Sequence, residues 1–190
     1  QVGNDEASIG RLAAEHLLDR KFCSFAFCGY RDHLWSDLRR EGFAERVRQG
    51  GGSCLLYDSV HTPARLAEWE QGQEELAVWL KQLPKPVGLM ACSDGHALRI
   101  LDACHRAHLA VPEEVAVIGV DNDEETCRLA NPPLSSVIDN PRRIGFEAAQ
   151  LLGQIMVRPQ ATKPASPLLI APVGVATRRS TDTTAIEDPI

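Results

Sequence analysis

The chain lacks the features that mark membrane-spanning and nucleic-acid-binding proteins. Its 190 residues contain no apolar run close to the ~20 residues that a membrane-spanning helix needs, so no membrane contact is predicted. Its net charge of −6 argues against contacts with nucleic-acid phosphates, which need clustered lysine and arginine, although an attached basic domain stays compatible. No P-loop, dinucleotide-binding glycine motif, nucleophile elbow or kinase signature is present.

The cysteines and histidines do not form a disulfide framework or a metal motif. No Cys-x-x-Cys pair occurs, and most of the six cysteines lie in apolar runs, which predicts buried free thiols in a reducing, cytoplasmic compartment. His105 and His108 are three residues apart but have no acidic or thiol partner at ligand spacing. The sequence therefore predicts neither a metal site nor another cofactor. The cysteines are Cys23, Cys28, Cys54, Cys92, Cys104 and Cys127.

Strand patterns and helix patterns alternate along the chain. Amphipathic periodicity predicts helices over 6–20, 36–49, 76–83, 95–107 and 141–157. This alternation predicts parallel strand–helix–strand units and an α/β fold, a parallel sheet flanked by helices. The polar tail from 178 to 190 has the composition of a linker. Apolar runs predict strands at 24–29, 54–57, 87–92, 115–120, 135–138, 168–170 and 173–176.

Two of the predicted strands end abruptly in acid. Met90–Asp94 reads MACSD and Val117–Asn122 reads VIGVDN. Such runs are typical of strands buried on both faces of a parallel sheet, and open α/β sheets bind ligands at the carboxyl ends of their strands. Asp94 and Asp121 at this edge suggest a small polyol or sugar site, because a carboxylate can accept two hydroxyl groups at once. The alternative is that each acid caps the helix that follows.

Two further side chains are candidates for the same site. Arg39 carries a fixed fork of donors that suits adjacent hydroxyl groups, and Trp35 could stack on the C–H face of a pyranose. The alternatives are a solvated arginine on a charged helix face and a tryptophan in the core or at a hinge. Both alternatives stay open at the level of sequence.

Several short segments together resemble the effector-binding core of lactose-repressor-type regulators. A closer resemblance, from about Val2 to Pro189, is to the xylose-operon regulators, which join such a core to an arabinose-regulator-type DNA-binding domain. It rests on Trp35 followed by Arg39, on 83–88, on 118–124 and on 178–182. The segments shared with the broader group are Asn4-Asp5 with Gly10 and Ala13, 39–43, 92–94, 117–122 and 133–137.

This resemblance implies a periplasmic-binding-protein-like fold of two α/β lobes. Residues 1–22 and 139–166 would be a remnant of the N-terminal lobe. Residues 23–137 and 167–181 would form one complete C-terminal lobe, and 182–190 would be a linker toward a DNA-binding domain outside this chain.

The resemblance also implies a set of ligand-binding residues. Asp5 and Asp139 would lie on the N-terminal-lobe side of the cleft, with capping of the following helix as the alternative for Asp5. Independently of the resemblance, Asn122 could orient the loop of Asp121. Ser93 and Asp139 depart from the family pattern, which has asparagine and a side-chain amide there, so the preferred sugar could differ. The full set is Asp94, Asp121, Arg39, Trp35, Asp139, Asp5, Ser93 and Asn122.

The function that follows is sugar sensing in a transcription regulator without catalysis. Its expected partners are a monosaccharide effector such as xylose, DNA through the attached domain, and a second copy in a homodimer. One alternative is the solute-binding subunit of a sugar transporter, which shares the fold. Another is an enzyme that uses Asp94 and Asp121 as acid and base, because carboxylate pairs hydrolyse glycosides.

Overall fold

Strands and helices alternate in the computed structural model, which describes residues 1–59, 66–157 and 166–185. The strands are β1 Val2–Asn4, β2 Ser24–Tyr30, β3 Cys54–Ser59, β4 Val87–Ala91, β5 Val115–Val120, β6 Ser135–Ile138, β7 Leu168–Ile170 and β8 Gly174–Ala176. The helices are α1 Glu6–Asp19, α2 Leu34–Gln49, α3 Leu66–Gln82, α4 Asp94–Ala107, α5 Glu124–Leu129 and α6 Pro141–Val157, and a 3-10 turn covers Arg179–Thr181. Every predicted element is present, and β1, α5 and the 3-10 turn are additional.

Six strands form one sheet in the order β3-β2-β4-β5-β6-β8. The first five are parallel, and β8 pairs antiparallel with β6 at the edge. All residues of β4 and β5 are buried, as expected for central strands of a parallel sheet with helices on both faces. The predicted α/β fold with a parallel sheet flanked by helices is therefore confirmed.

Alternate side chains of the central strands enter two separate cores. On one face Leu89 packs with Leu80 of α3 and Ile100 of α4. On the other face Met90 packs with Ile9 of α1 and with residues of α2. Burial on both faces fixes the register of β4, so the strand ends, and the loops that follow them, are held in place.

Helices α1 and α2 cross in very close contact at two glycines. A Cβ atom on Gly10 would lie 2.0 Å from the carbonyl oxygen of Arg39, and one on Gly42 would lie 2.1 Å from the carbonyl oxygen of Ala7. The backbones can approach this closely only because neither position has a side chain. The first turn of α1 is thereby brought beside the middle of α2.

The packing favours a lobe boundary different from the predicted one. Helix α1, within the predicted remnant 1–22, shares a core with the large sheet. The separate part consists of the β1–β7 pair and α6, a helix that contains no buried residue. The division of residues into lobes stays a prediction, and residues 158–165 of its remnant lie outside the described part.

The start of the polar tail is not a linker. Ser180 and Thr181 are fully buried, and the Ser180 hydroxyl donates to the carbonyl oxygen of Val117 at 2.6 Å. Composition failed here because buried serine and threonine hydroxyls find hydrogen-bond partners on other elements. Residues 186–190 of the predicted linker lie outside the described part.

The predictions about the cysteine thiols and about membrane-spanning helices can be compared with the structure. All six cysteines are free, and four of them are buried, whereas Cys23 is exposed and Cys54 is half-buried. In the described residues, no helix is both long enough and apolar enough to cross a membrane.

We expect Gly10→Ala to destabilise the protein by about 2 kcal/mol or more, because the new methyl group would collide with rigid backbone. Urea unfolding measures this change. Gly145→Ala is the control, since a Cβ atom there meets nothing within 4 Å and alanine favours a helix. Equal stability of the two variants would show that the α1–α2 contact is looser than the structure has it.

Candidate functional site

A cleft of about 400 Å³ lies at the carboxyl edge of the large sheet. Its volume falls within the range of about 300–1,000 Å³ common for ligand pockets. Four of the eight predicted residues line it, together with two that were not predicted. The lining residues are Tyr30, Trp35, Arg39, Ser93, Gly95 and Asp121.

Arg39 is held rigidly in the wall of the cleft. Its Nε donates to Glu6 Oε2 at 2.6 Å, and its Nη1 donates to the carbonyl oxygen of Cys92 at 2.6 Å. The residue is only 4% exposed, so the alternative of a solvated helix-face arginine is wrong. Among the described residues Nη2 has no hydrogen-bond partner, which leaves one end of the guanidinium group available for a ligand.

Asp121 lies across the cleft from Arg39, in a loop that follows β5. Its Oδ1 is 3.5 Å from Arg39 Nη1, and its side chain is 46% exposed. Burial raises the pKa of Asp121 to about 6, although the nearby guanidinium group of Arg39 opposes that rise. Its backbone φ is +101°, a conformation that a residue with a side chain rarely adopts, and such strain is commonly found at binding sites.

Aromatic rings form a further part of the wall. The ring of Trp35 lies 5.1 Å from the guanidinium carbon of Arg39, and Tyr30 meets it edge to face with centroids 6.1 Å apart. Trp35 is half-buried, so part of the indole surface is open to the cleft. An aromatic surface beside hydrogen-bonding groups suits a ligand that has both C–H and hydroxyl faces.

Ser93 has two roles at the start of α4. Its hydroxyl oxygen accepts a hydrogen bond from the backbone N–H of His96 at 3.2 Å and so caps the helix. The residue also lines the cleft, where its hydroxyl hydrogen can be donated to a ligand.

The carboxylate of Asp94 is occupied by protein groups and does not line the cleft. Its Oδ1 accepts from the hydroxyl of Ser136 at 2.6 Å, and its Oδ2 accepts from the N–H of Asp123 at 2.8 Å and the thiol of Cys127 at 3.3 Å. The residue is 2% exposed, and burial raises its pKa against the effect of these donors. Ligand contact by Asp94 stays a prediction, but this geometry favours a structural role in joining α4 to the loop after β5.

Asp5 and Asp139 lie outside the cleft lining. Asp5 caps α1, since its Oδ1 accepts from the N–H of Ser8 at 3.0 Å and its Oδ2 from the Ser8 hydroxyl at 2.6 Å, so the capping alternative is confirmed. Asp139 is half-buried, and burial raises its pKa while the nearby guanidinium group of Arg39 lowers it.

Asn122 supports the loop of Asp121. Its N–H donates to the hydroxyl oxygen of Ser136 at 3.0 Å, and its side-chain oxygen accepts from Arg178 Nη2 at 2.9 Å. These two bonds hold the loop, and a role of Asn122 at a ligand site stays a prediction.

Sequence reasoning missed Glu6 and Tyr30. Glu6 forms the ion pair that fixes Arg39, yet nothing in the first turn of α1 marks it. The signal was indirect, because Gly10 and Gly42 bring α1 and α2 close enough for the pair to form. Tyr30 follows an apolar run and was indistinguishable from core.

A second cavity of about 320 Å³ lies beyond β3, between α3 and α4. None of the predicted ligand residues lines it, and its wall contains arginines and acids together, such as Arg31, Arg99, Asp58 and Glu75. Across residues 1–59, 66–157 and 166–185, histidine, cysteine and acidic side chains form no group of three that could hold a metal ion.

We expect Asp94→Asn to destabilise the protein by about 2 kcal/mol, because an amide cannot accept from all three donors and its own NH₂ would face one of them. Thermal and urea unfolding measure the loss. Asp37→Asn is the control, since it removes a half-exposed carboxylate that pairs with Arg40 and should cost less than about 1 kcal/mol. A loss no larger than that of the control would rule out the structural role.

Comparisons with known proteins identify the family of the chain. The family described as "Periplasmic binding protein-like domain" matches residues 14–181. The xylose operon regulatory protein of Haemophilus influenzae is 35% identical to this chain over 100% of its length, and the chain covers 49% of that protein. The xylose operon regulatory protein of Escherichia coli K12 is 33% identical over 99% of the chain, which covers 48% of it. The chain thus spans about half the length of these relatives.

A solved structure titled "xylose-binding transcription activator xylR" superposes with a TM-score of 0.86 at 33% identity, over 98% of this chain and 49% of that one. Because the family match extends over most of the sequence and the fold agrees with it, the chain belongs to the periplasmic binding protein-like domain family.

Proposed function

We propose that the chain is the effector-sensing part of a transcription regulator and that its cleft binds a monosaccharide, with D-xylose as the first candidate. The similar proteins named above are xylose regulators, which supports both the class of ligand and the class of protein. The resemblance of the short motifs to xylose-operon regulators points the same way.

One observation carries the proposal, namely that a donor, an acceptor and an aromatic surface converge in one cleft. Arg39 offers Nη2 as a donor, Asp121 offers carboxylate oxygens, and Trp35 offers its ring. A pyranose has hydroxyl groups at its edge and C–H bonds on its face, so it uses all three at once. Ser93 adds a hydroxyl where asparagine is usual, and this shorter side chain would tune which sugar epimer fits.

Contacts from the other side of the cleft complete the proposed site. The resemblance to xylose-operon regulators implies that Asp139 lies on the other side of the cleft, and we assign it to that wall. Asp5, which caps α1, and Asn122, which supports the Asp121 loop, would act by holding ligand contacts in place. Asp94 would act in the same way.

The proposed action is binding without bond making or breaking. Sugar between two lobes would bias their closure, and an attached DNA-binding domain would read that change as part of a homodimer inside the cell. The carboxylates of Asp94 and Asp121 do not share the cleft as an acid–base pair would, which is why we do not propose glycoside hydrolysis.

Replacing Arg39 tests the site directly. We expect Arg39→Ala to weaken D-xylose binding by about tenfold or more, because a charge-assisted hydrogen bond contributes about 1.5–3 kcal/mol. Titration calorimetry on the intact protein measures this. Arg40→Ala is the matched control, since Arg40 pairs with Asp37 and Asp58 instead of facing the cleft, and it should bind as the wild type does.

Two outcomes would contradict the proposal. One is that the wild type binds neither D-xylose nor any other pentose or hexose in a panel. The other is that Arg39→Ala and Arg40→Ala bind equally well while both remain folded. Arg39→Lys separates charge from geometry, since lysine keeps the charge but loses the fork.

The affinity for sugar should fall as the pH is lowered from 7.5 to 5. Burial raises the pKa of Asp121 to about 6, so its carboxylate becomes protonated in this range and loses acceptor capacity. If only the ionised form binds, affinity approaches a decline of about tenfold per pH unit below 6. Asp121→Asn should bind weakly with a flat profile over the same range, and an unchanged slope in that variant would assign the titration to another group.

A further inference from the structure

Arg178 joins the C-terminal segment to the loop that carries Asp121. Its Nη1 donates to the carbonyl oxygen of Leu134 at 2.9 Å, and its Nη2 donates to Asn122 Oδ1 at 2.9 Å and to Glu124 Oε2 at 2.7 Å. Its side chain is only 15% exposed. One acceptor lies in the loop after β5, one is the first residue of α5, and one directly precedes β6, so a single planar fork ties the loop to its surroundings from the C-terminal segment.

The loop itself is in a strained conformation that needs such support. Asp121 and Asn122 have backbone φ values of +101° and +51°. Ser136 and Asp94 hold the loop from inside the lobe, through the N–H groups of Asn122 and Asp123. Arg178 holds the loop from the C-terminal segment, beyond the sheet strands and α4, and it binds Asn122, the residue next to Asp121.

Beyond Arg178 the segment continues as a bound strap, which we define as residues 178–185. Thr181 Oγ1 is 2.8 Å from His16 Nε2, and the carbonyl oxygen of Thr181 accepts from Arg20 Nε at 2.7 Å. The N–H of Ala185 donates to the carbonyl oxygen of Arg20 at 2.9 Å. The strap therefore rests on α1, the helix whose first turn holds Glu6 against Arg39.

We infer that Arg178 is a positioning residue that couples the Asp121 loop to the strap. The strap contacts the supports of both charged cleft groups: Asp121 through Asn122, and Arg39 through α1. Any ligand that prefers one arrangement of the loop must then bias the strap, and by linkage the strap must bias the ligand equally. The identity of that ligand rests on the proposed function, whereas the loop–strap link does not.

Hydrogen exchange on the intact protein tests the link without any ligand. We expect Arg178→Ala to speed amide exchange at 121–123 by about tenfold, because a buried charged group loses its bonds to the loop. Asn122→Ala should speed exchange of the Ser180 amide from the other side. Arg179→Ala is the matched control, since Arg179 is the exposed neighbour in the same strap and should change neither.

A second measurement adds D-xylose. Sugar should slow exchange of the Ala185 amide in the wild type and in Arg179→Ala. It should slow it clearly less in Arg178→Ala, where only the route through α1 remains, and this variant should also bind about fivefold or more weakly. A general loss of stability would not reduce this sugar-dependent response selectively. If Arg178→Ala does not fold, two single variants, Arg178→Lys and Asn122→Ala, replace it in the test. Arg178→Lys should loosen the loop partly, because lysine keeps the charge but loses the fork.

The outcomes separate the two proposals. No binding of D-xylose by the wild type, with loosening of the loop in Arg178→Ala, would overturn the proposed ligand and leave the link standing. The link would be overturned, whatever the ligand is, by equal amide exchange rates at 121–123 in the wild type, Arg178→Ala and Arg179→Ala.

Discussion

The ion pair between Arg39 and Glu6 is the constraint on which the cleft depends. Both side chains are largely buried, and a buried charge without a partner is costly by several kcal/mol. The pair forms because Gly10 and Gly42 have no side chains, which lets the backbones of α1 and α2 come into contact. Glu6 and the Cys92 carbonyl group hold Nε and Nη1 of the guanidinium group, so the side chain that lines the cleft has little freedom left. Binding then costs little side-chain entropy at this residue.

Two aspartates in similar sequence contexts have different physical roles. Two residues separate Asp94 from the end of β4, and as the first residue of α4 it has its side chain turned inward to three donors. Asp121 follows β5 directly and takes a left-handed conformation, which directs its carboxylate into the cleft beside Arg39. One carboxylate organises the loop and the other is left for the ligand. The pKa of both is raised by burial, so a raised pKa alone does not distinguish the two roles.

The features that could be predicted from sequence are those that local residue patterns determine. The fully apolar runs of β4 and β5 identified the central strands, and the acid after β5 identified one wall of the cleft. The rest depends on contacts between residues far apart in the chain. Glu6 meets Arg39 across 33 positions, and Ser180 meets Val117 across 63. Periodicity within a segment carries no information about such distant contacts, which is why Glu6 was missed and why the linker-like composition of the tail gave no sign that Ser180 and Thr181 are buried.

The rigidity of the wall that bears Arg39 also limits what that wall can do in a switch. A ligand shifts an equilibrium only by the difference between its affinities for the two states. Arg39 and Ser93 are fixed by protein partners, so their contacts with a sugar would be similar in an open and a closed cleft. They would supply affinity and selectivity. The difference must come from groups that move relative to them, and two charged candidates are Asp121, in the loop that Arg178 holds, and Asp139, just before α6, a helix without buried residues.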